Sequence, residues 1–274
     1  MPELPEVITV IKVLKDEDLI GKHFVSVNVY NSKLLKNSTP KSLNNFLKNE
    51  TVKDIQHKGK YIVFTLSKNK ILVIHLRMEG KLFVEHSNIE EKKYLCVKFI
   101  LNNNTTLRFY DSRMFGTIHI FDNLEKYNDS SIIKKIAIDP LDKNFTTMYL
   151  INALKNTNTY IKTALIDQSN VSGIGNIYVD EILFASFVSP LRRVKNVKPN
   201  EYILITKNAK KILKDAIACG GTTISTFESS NNHIGSYQNK LKIHGKKICP
   251  ICKRKTAFTK VNGRGTTYCK YCQK

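Results

Sequence analysis

The spacing of hydrophobic positions changes twice along the chain. Val7, Val10, Ile11 and Leu14 recur at three- and four-residue intervals behind Pro5, which predicts one opening helix with a proline in its first turn. From about residue 22 to residue 121 the period falls to two. Val25, Val27 and Val29 alternate, residues 61–66 and 71–75 flank a polar turn at 67–70, and residues 96–101 and 107–109 flank another at 102–104. These segments predict antiparallel strands, stacked as a sandwich or closed as a barrel. The polar stretch 123–131 reads as a linker. Beyond it the helical period returns at 145–154, 160–167, 176–187 and 201–219, the last stopped by Gly220-Gly221. Residues 222–239 are polar and lack a period, which predicts a mobile loop.

Size and charge narrow the picture. With 274 residues, 42% of them hydrophobic, the chain can build more than one core. It has no apolar run near the roughly 18 residues of a membrane span and no leader pattern, so a soluble, intracellular protein without a membrane partner is expected. Its 44 Lys+Arg against 23 Asp+Glu give a net charge of +21. Such an excess fits either a polyanionic partner or a lysine-rich solvated surface. Distribution favours the partner at the C-terminus, where residues 240–274 hold 11 basic and no acidic side chains.

The same tail holds Cys249-Pro-Ile-Cys252 and Cys269-Lys-Tyr-Cys272, separated by 16 residues. That spacing predicts two knuckles converging on one tetrahedral zinc ion, with a hairpin from 257–261 and 266–268 between them. Four thiolates leave no open position, so the zinc is expected to be structural. The hairpin's middle, Asn262-Gly263-Arg264-Gly265, offers an arginine flanked by glycines, suited to a closely approached phosphate. Cys96 and Cys219 are unpaired in sequence and read as small buried hydrophobes.

A second chemistry opens the chain. If Met1 is removed, Pro2 carries a secondary amine with Glu3 and Glu6 close by. An α-amino group, with a pKa of roughly 8 against about 10.4 for lysine, is far more often uncharged at neutral pH. It is then a nucleophile for an aldehyde-like carbon, with a carboxyl beside it for proton transfer. Pro-Glu-Leu-Pro-Glu also serves as an ordinary helix start, its glutamates complementing the dipole, and on chemistry alone that reading is the stronger one.

Six segments resolve the choice. MPELPEV at 1–7, Lys60 within His57-Lys-Gly-Lys-Tyr61, Asp111-Ser-Arg-Met-Phe-Gly116, Ser172-Gly-Ile-Gly-Asn-Ile-Tyr178, Gly220-Gly-Thr-Thr223 and the cysteine pairs together resemble formamidopyrimidine-DNA glycosylases, in that family's order and over nearly the whole chain. Leu4 matches this branch rather than the related endonuclease VIII branch, whose start resembles MPEGPEI. The resemblance implies a base-excision-repair glycosylase and lyase acting on oxidised purines in double-stranded DNA. Pro2 would attack C1′ and Glu3 would protonate the opening sugar, with Glu6 beside them. Lys60 and Arg264 would hold flanking phosphates and support elimination. Met78, Arg113 and Phe115 look like the family's void-filling group, although by pattern alone Met78 and Phe115 read as core. Asn176, at a helix start, and Lys162 look like phosphate contacts. Tyr94 stands where many relatives have a DNA-contacting histidine, Met114 where they have a second arginine, and Thr157 where they have a lysine. These departures are expected to alter affinity rather than chemistry.

The fold the resemblance implies is therefore α+β: a first helix and antiparallel β-sandwich over 1–131, a helix-two-turns-helix domain over 132–239, including a mobile loop at 221–237 that would close on the extruded base, and a zinc-finger β-hairpin over 240–274. A monomer in a bacterial-type cytoplasm, associated with the nucleoid, is expected. The rivals are the oxidised-pyrimidine branch and a non-catalytic zinc-ribbon nucleic-acid binder.

Overall fold

A proline and two glutamates start the first helix. In the computed structural model, which describes residues 1–222 and 235–274, α1 spans Leu4–Asp16 with Glu3 as its N-cap. The Glu3 carboxylate accepts from the Glu6 N–H, and Glu6 Oε2 accepts from the Glu3 N–H at 2.8 Å. Each thus satisfies a donor that a helix start leaves orphaned. Leu4, Val7, Val10, Ile11 and Leu14 are buried along one side. At about 1.5–3 kcal/mol per fully buried aliphatic side chain, this stripe holds the helix more firmly than propensity does.

The chain divides into two compact units. The first comprises Met1–Lys134 together with Thr222 and Gly235. Its strands are β1 (Phe24–Val29), β2 (Val52–Lys58), β3 (Tyr61–Leu66), β4 (Ile71–His75), β5 (Lys81–His86), β6 (Leu95–Leu101), β7 (Thr105–Tyr110) and β8 (Thr117–Phe121). They form two four-stranded antiparallel sheets, ordered β1-β6-β7-β5 and β2-β3-β4-β8, so the open alternative of sandwich or barrel closes on the sandwich. Phe24, Phe64, Phe99 and Phe109 are fully buried in its core, with Phe24 and Phe99 edge to face at 5.9 Å. Cys96 joins them as expected, at 1% exposure.

Three short helices depart from the expectation. Within the stretch read as all strand, α2 (Pro40–Leu47) forms because Thr39 and Ser42 make a capping box and Leu43, Phe46 and Leu47 share one buried side. The 123–131 stretch is not a linker: it folds as α3 (Leu124–Asp129) and enters α4 (Ser131–Lys134), with Asn123 capping α3 and Tyr127 buried beneath it.

The second unit comprises Lys135–Gly221 and Ser236–Lys274. Here α5 (Thr147–Leu154), α6 (Ile161–Ile166), α7 (Asn176–Ala185) and α8 (Pro199–Ala218) lie where the helical period predicts, and Gly220 and Gly221 end α8. Cys219 is only half-buried, because it caps α8 instead of entering the core. The finger hairpin, β9 (Ala257–Val261) and β10 (Arg264–Tyr268), packs on α7 and belongs to this unit, so there are two units where three domains were expected. Phe184 of α7 clusters with Ile243, Cys249 and Cys269, while Glu181 accepts from the N–H groups of Lys242, Ile243 and His244 at 2.8–2.9 Å. Most of the loop expected at 221–237 lies outside the described residues.

Candidate active site and nucleic-acid interface

In the first unit the N-terminal residues are held from two sides. Pro2, Glu3 and Glu6 are buried behind an exposed Met1. Besides the Glu3 N–H, the Glu6 carboxylate takes both donors of Thr222, N–H at 2.8 Å and hydroxyl at 3.0 Å. One side chain therefore ties the helix start to the threonine behind Gly220-Gly221. The two readings of this terminus are compatible, since the same glutamates cap the helix and flank the proline. Lys60 sits in the two-residue turn joining β2 to β3, where Gly59 supplies the positive φ of 55° that the turn requires. α1 packs on this hairpin, and Lys60 is 5% exposed.

His75, at the end of β4, is a neighbour that the sequence reading missed. Burial first, then the charges of Arg77, Lys60 and His119, push its pKa down to about 3. It is therefore neutral at pH 7. Its Nδ1 accepts the Arg77 N–H at 2.9 Å, which opens the turn that carries Met78, and the Tyr61 ring packs edge-on to it at 4.5 Å.

The proposed void-filling side chains come from two loops. Met78 is half-buried in the β4–β5 turn, whereas Arg113 and Phe115 are exposed on the loop 111–116, with the guanidinium 4.9 Å above the phenyl ring. Neither Met78 nor Phe115 is a core residue. Asp111, fully buried, shapes the second loop by accepting the Arg113 N–H at 3.0 Å and the Gly116 N–H at 2.7 Å. Tyr94 is exposed, its ring beneath the Lys93 ammonium at 4.9 Å, so a positive charge stands beside the phenol.

In the second unit the hairpin tip is tighter than expected. Asn262-Gly263 alone makes the turn, both at positive φ, and Arg264 is already the first residue of β10, exposed and paired with Val261. The Gly265 carbonyl accepts from Asn176 Nδ2 and from Lys162 Nζ, each at 3.0 Å. Asn176 therefore starts α7 and braces the arginine strand at once. Its Oδ1, and the hydroxyl of fully buried Ser172 in the preceding glycine loop, have no hydrogen-bond partner. Buried polar atoms left without partners are where a ligand or water is wanted.

Lys162 departs from its expected role. Its side chain is fully buried against Asp180, at 2.7 Å, and has no surface to offer a phosphate. It acts on the hairpin from beneath. Asp180 also binds His244 Nδ1 at 2.8 Å and the Thr267 N–H at 3.3 Å. The sequence signal for this centre was an adjacent Asp-Glu pair inside the apolar run of α7. Charge in so apolar a helix has to be paired.

The four cysteine sulfurs lie within 4.8 Å of one another, with Cys249–Cys272 at 3.8 Å and Cys252–Cys269 at 3.5 Å. Sulfurs about 2.3 Å from one tetrahedral ion stand about 3.8 Å apart, so the donor set fits a metal ion.

Comparison with known proteins decides the family. Residues 1–118 match the sequence model of the formamidopyrimidine-DNA glycosylase N-terminal domain, and residues 136–228 that of its H2TH domain. The chain belongs to the formamidopyrimidine-DNA glycosylase family. Proteins named formamidopyrimidine-DNA glycosylase from Mycoplasma pneumoniae and Listeria monocytogenes are 45% and 38% identical to it. In each case 100% of this chain is covered, with 99% and 100% of the relative. Among solved structures, a Lactococcus lactis FPG mutant in complex with a Fapy-dG containing DNA superposes with a TM-score of 0.93 at 29% identity, covering 100% of both chains. The Lactococcus lactis Fpg complex with abasic-site DNA gives 0.91 at 29% identity, covering 99% of both. The α+β arrangement of a β-sandwich unit and an H2TH unit with a cysteine-bearing hairpin is that family's fold. Among the described residues no helix is long and apolar enough to cross a membrane.

Two measurements check this geometry. Lys162→Met leaves Asp180 buried without its cation and is expected to cost about 3 kcal/mol or more in urea unfolding, part of which the added Asp180→Asn change restores. For His75, the unfolded side chain takes its proton near the ordinary 6.5 and the folded one only near 3. Between those values the unfolded state binds more protons, so stability falls as pH drops from about 6.5 toward 3, and His75→Gln flattens that fall. Equal slopes for both proteins in urea titrations at pH 7.5, 5.5 and 4.5 would remove His75 from this account.

Proposed function

We propose that this chain is a bifunctional DNA glycosylase and abasic-site lyase of base excision repair, which removes oxidised purines such as 8-oxoguanine and formamidopyrimidines from double-stranded DNA. The observation that carries the reading is full-length similarity to formamidopyrimidine-DNA glycosylases, with solved relatives bound to Fapy-dG and abasic-site DNA. Once Met1 is removed, the Pro2 nitrogen attacks C1′ of the damaged nucleoside and expels the base, while Glu3 protonates the sugar ring oxygen. The resulting iminium acidifies the neighbouring C–H bonds, and β- then δ-elimination breaks both flanking phosphodiester bonds. Lys60 and Arg264 hold the phosphates beside the lesion, and Asn176 adds a helix N-terminus to that grip. Glu6 keeps the reacting terminus in register through its bonds to Glu3 and Thr222. Met78, Arg113 and Phe115 fill the gap left by the extruded nucleotide, and Tyr94 with Lys93 contacts the backbone.

Cys249, Cys252, Cys269 and Cys272 hold one zinc ion, which supplies rigidity and no chemistry. The protein acts as a monomer in a bacterial cytoplasm, on the nucleoid.

Borohydride added with duplex DNA carrying 8-oxoguanine opposite cytosine should trap one covalent adduct, mapped by mass spectrometry to Pro2. Pro2→Gly and Glu3→Gln should cut the lesion strand at least about 100-fold more slowly. Binding without any adduct would leave only a nucleic-acid binder. Elemental analysis should return one zinc per chain. Cys252→Ser should lose it, together with DNA affinity, while the first unit keeps its unfolding transition.

A further inference from the structure

Two loops of the first unit carry the three void-filling side chains, and both rest on one ring. Phe109 on β7 is fully buried, and Gly80, which closes the Met78 turn, and Gly116, which closes the Arg113 loop, lie against it. A Cβ on Gly116 would stand 2.5 Å from Phe109 Cζ and 3.0 Å from Cε1. One on Gly80 would stand 2.8 Å from Phe109 Cε2 and 2.4 Å from the Leu76 carbonyl oxygen. Non-bonded carbons settle at about 3.5–4.0 Å, so neither position has room for a side chain. Neither glycine has a positive φ, which makes the requirement one of space alone. A second link joins the loops directly, from the Ser112 hydroxyl to the Glu79 carboxylate. Each loop is also closed on itself, by Gly80 N–H to the Leu76 carbonyl at 2.9 Å and by Asp111 to Gly116.

We propose that Phe109, clasped between Gly80 and Gly116, joins the two loops into one rigid wedge. Gly80, Gly116 and Phe109 are then positioning residues for base extrusion, a role that rests on the glycosylase reading above. Opening the stack costs free energy that the inserted side chains must offset together. Met78 from one loop and Phe115 from the other do so only if neither loop can withdraw alone.

The test separates extrusion from chemistry. Gly116→Ala and Gly80→Ala are assayed on duplex 8-oxoguanine·cytosine, and on single-stranded DNA with a preformed abasic site, which needs no extrusion. Excision from the duplex should fall about ten-fold or more, with cutting of the preformed site unchanged within about two-fold. Phe109→Leu, which takes away the ring that both loops rest on, should likewise lower duplex excision and leave cutting of the preformed site unchanged. Ser112→Ala, at an exposed position, should lower duplex excision alone. Equal losses on both substrates, or duplex excision unaffected in Phe109→Leu or in Ser112→Ala, would each overturn the wedge. A wild-type protein inactive on both substrates would instead overturn the glycosylase reading.

Discussion

Buried carboxylates that accept backbone N–H groups hold the functional segments of this chain. Glu6 fixes the N-terminal residues and Thr222, Asp111 the loop of Arg113 and Phe115, and Glu181 the approach to the finger. An ionised carboxylate loses several kcal/mol of hydration when buried, and two or three charge-assisted bonds of about 1.5–3 kcal/mol each are what return it. The acceptor is therefore committed. A segment that drifts leaves the carboxylate unsatisfied, so the backbone of these segments is pinned more tightly than apolar packing alone would pin it. Asp180 extends the device to side chains, taking Lys162 and His244 as well as the Thr267 N–H.

This use of acidic residues bears on the net charge of +21. Several of the chain's few carboxylates are spent inward, and the exposed surface is correspondingly basic. Lys207, Lys211 and Lys214 project from α8, and Arg264 opens β10 on a finger with no acidic residue. A duplex gains affinity from such a surface by releasing counterions, largely independent of sequence.

What could be read from the sequence divides along the same line. α1, α5, α6, α7 and α8 were legible because each buries one stripe, or all sides, at a helical period, and the four-cysteine cluster because cysteine spacing reports a local knuckle. α2 and α3 escaped because a helix of two turns shows barely one repeat of its period. Thr39 and Asn123, the caps that start them, were the available signals. Lys162 was misread for a different reason. A lysine in a basic chain reads as surface until its partner is known, and Asp180 stands 18 residues away, on the next helix. Likewise Glu6, Asp111 and Glu181 act through backbone donors, which carry no residue identity and leave no mark in a sequence.

The departures from the family pattern fall where this architecture tolerates them. Met114 replaces an arginine at a residue that is 44% exposed and has φ +57°, between the two backbone groups that Asp111 binds. The loop's course is set by Asp111 and Gly116, so the side chain at 114 is free to change without moving Arg113 or Phe115. In the same loop the Ser112 hydroxyl reaches the Glu79 carboxylate on the neighbouring turn. That bond between loops adds a dependence of each loop on the other.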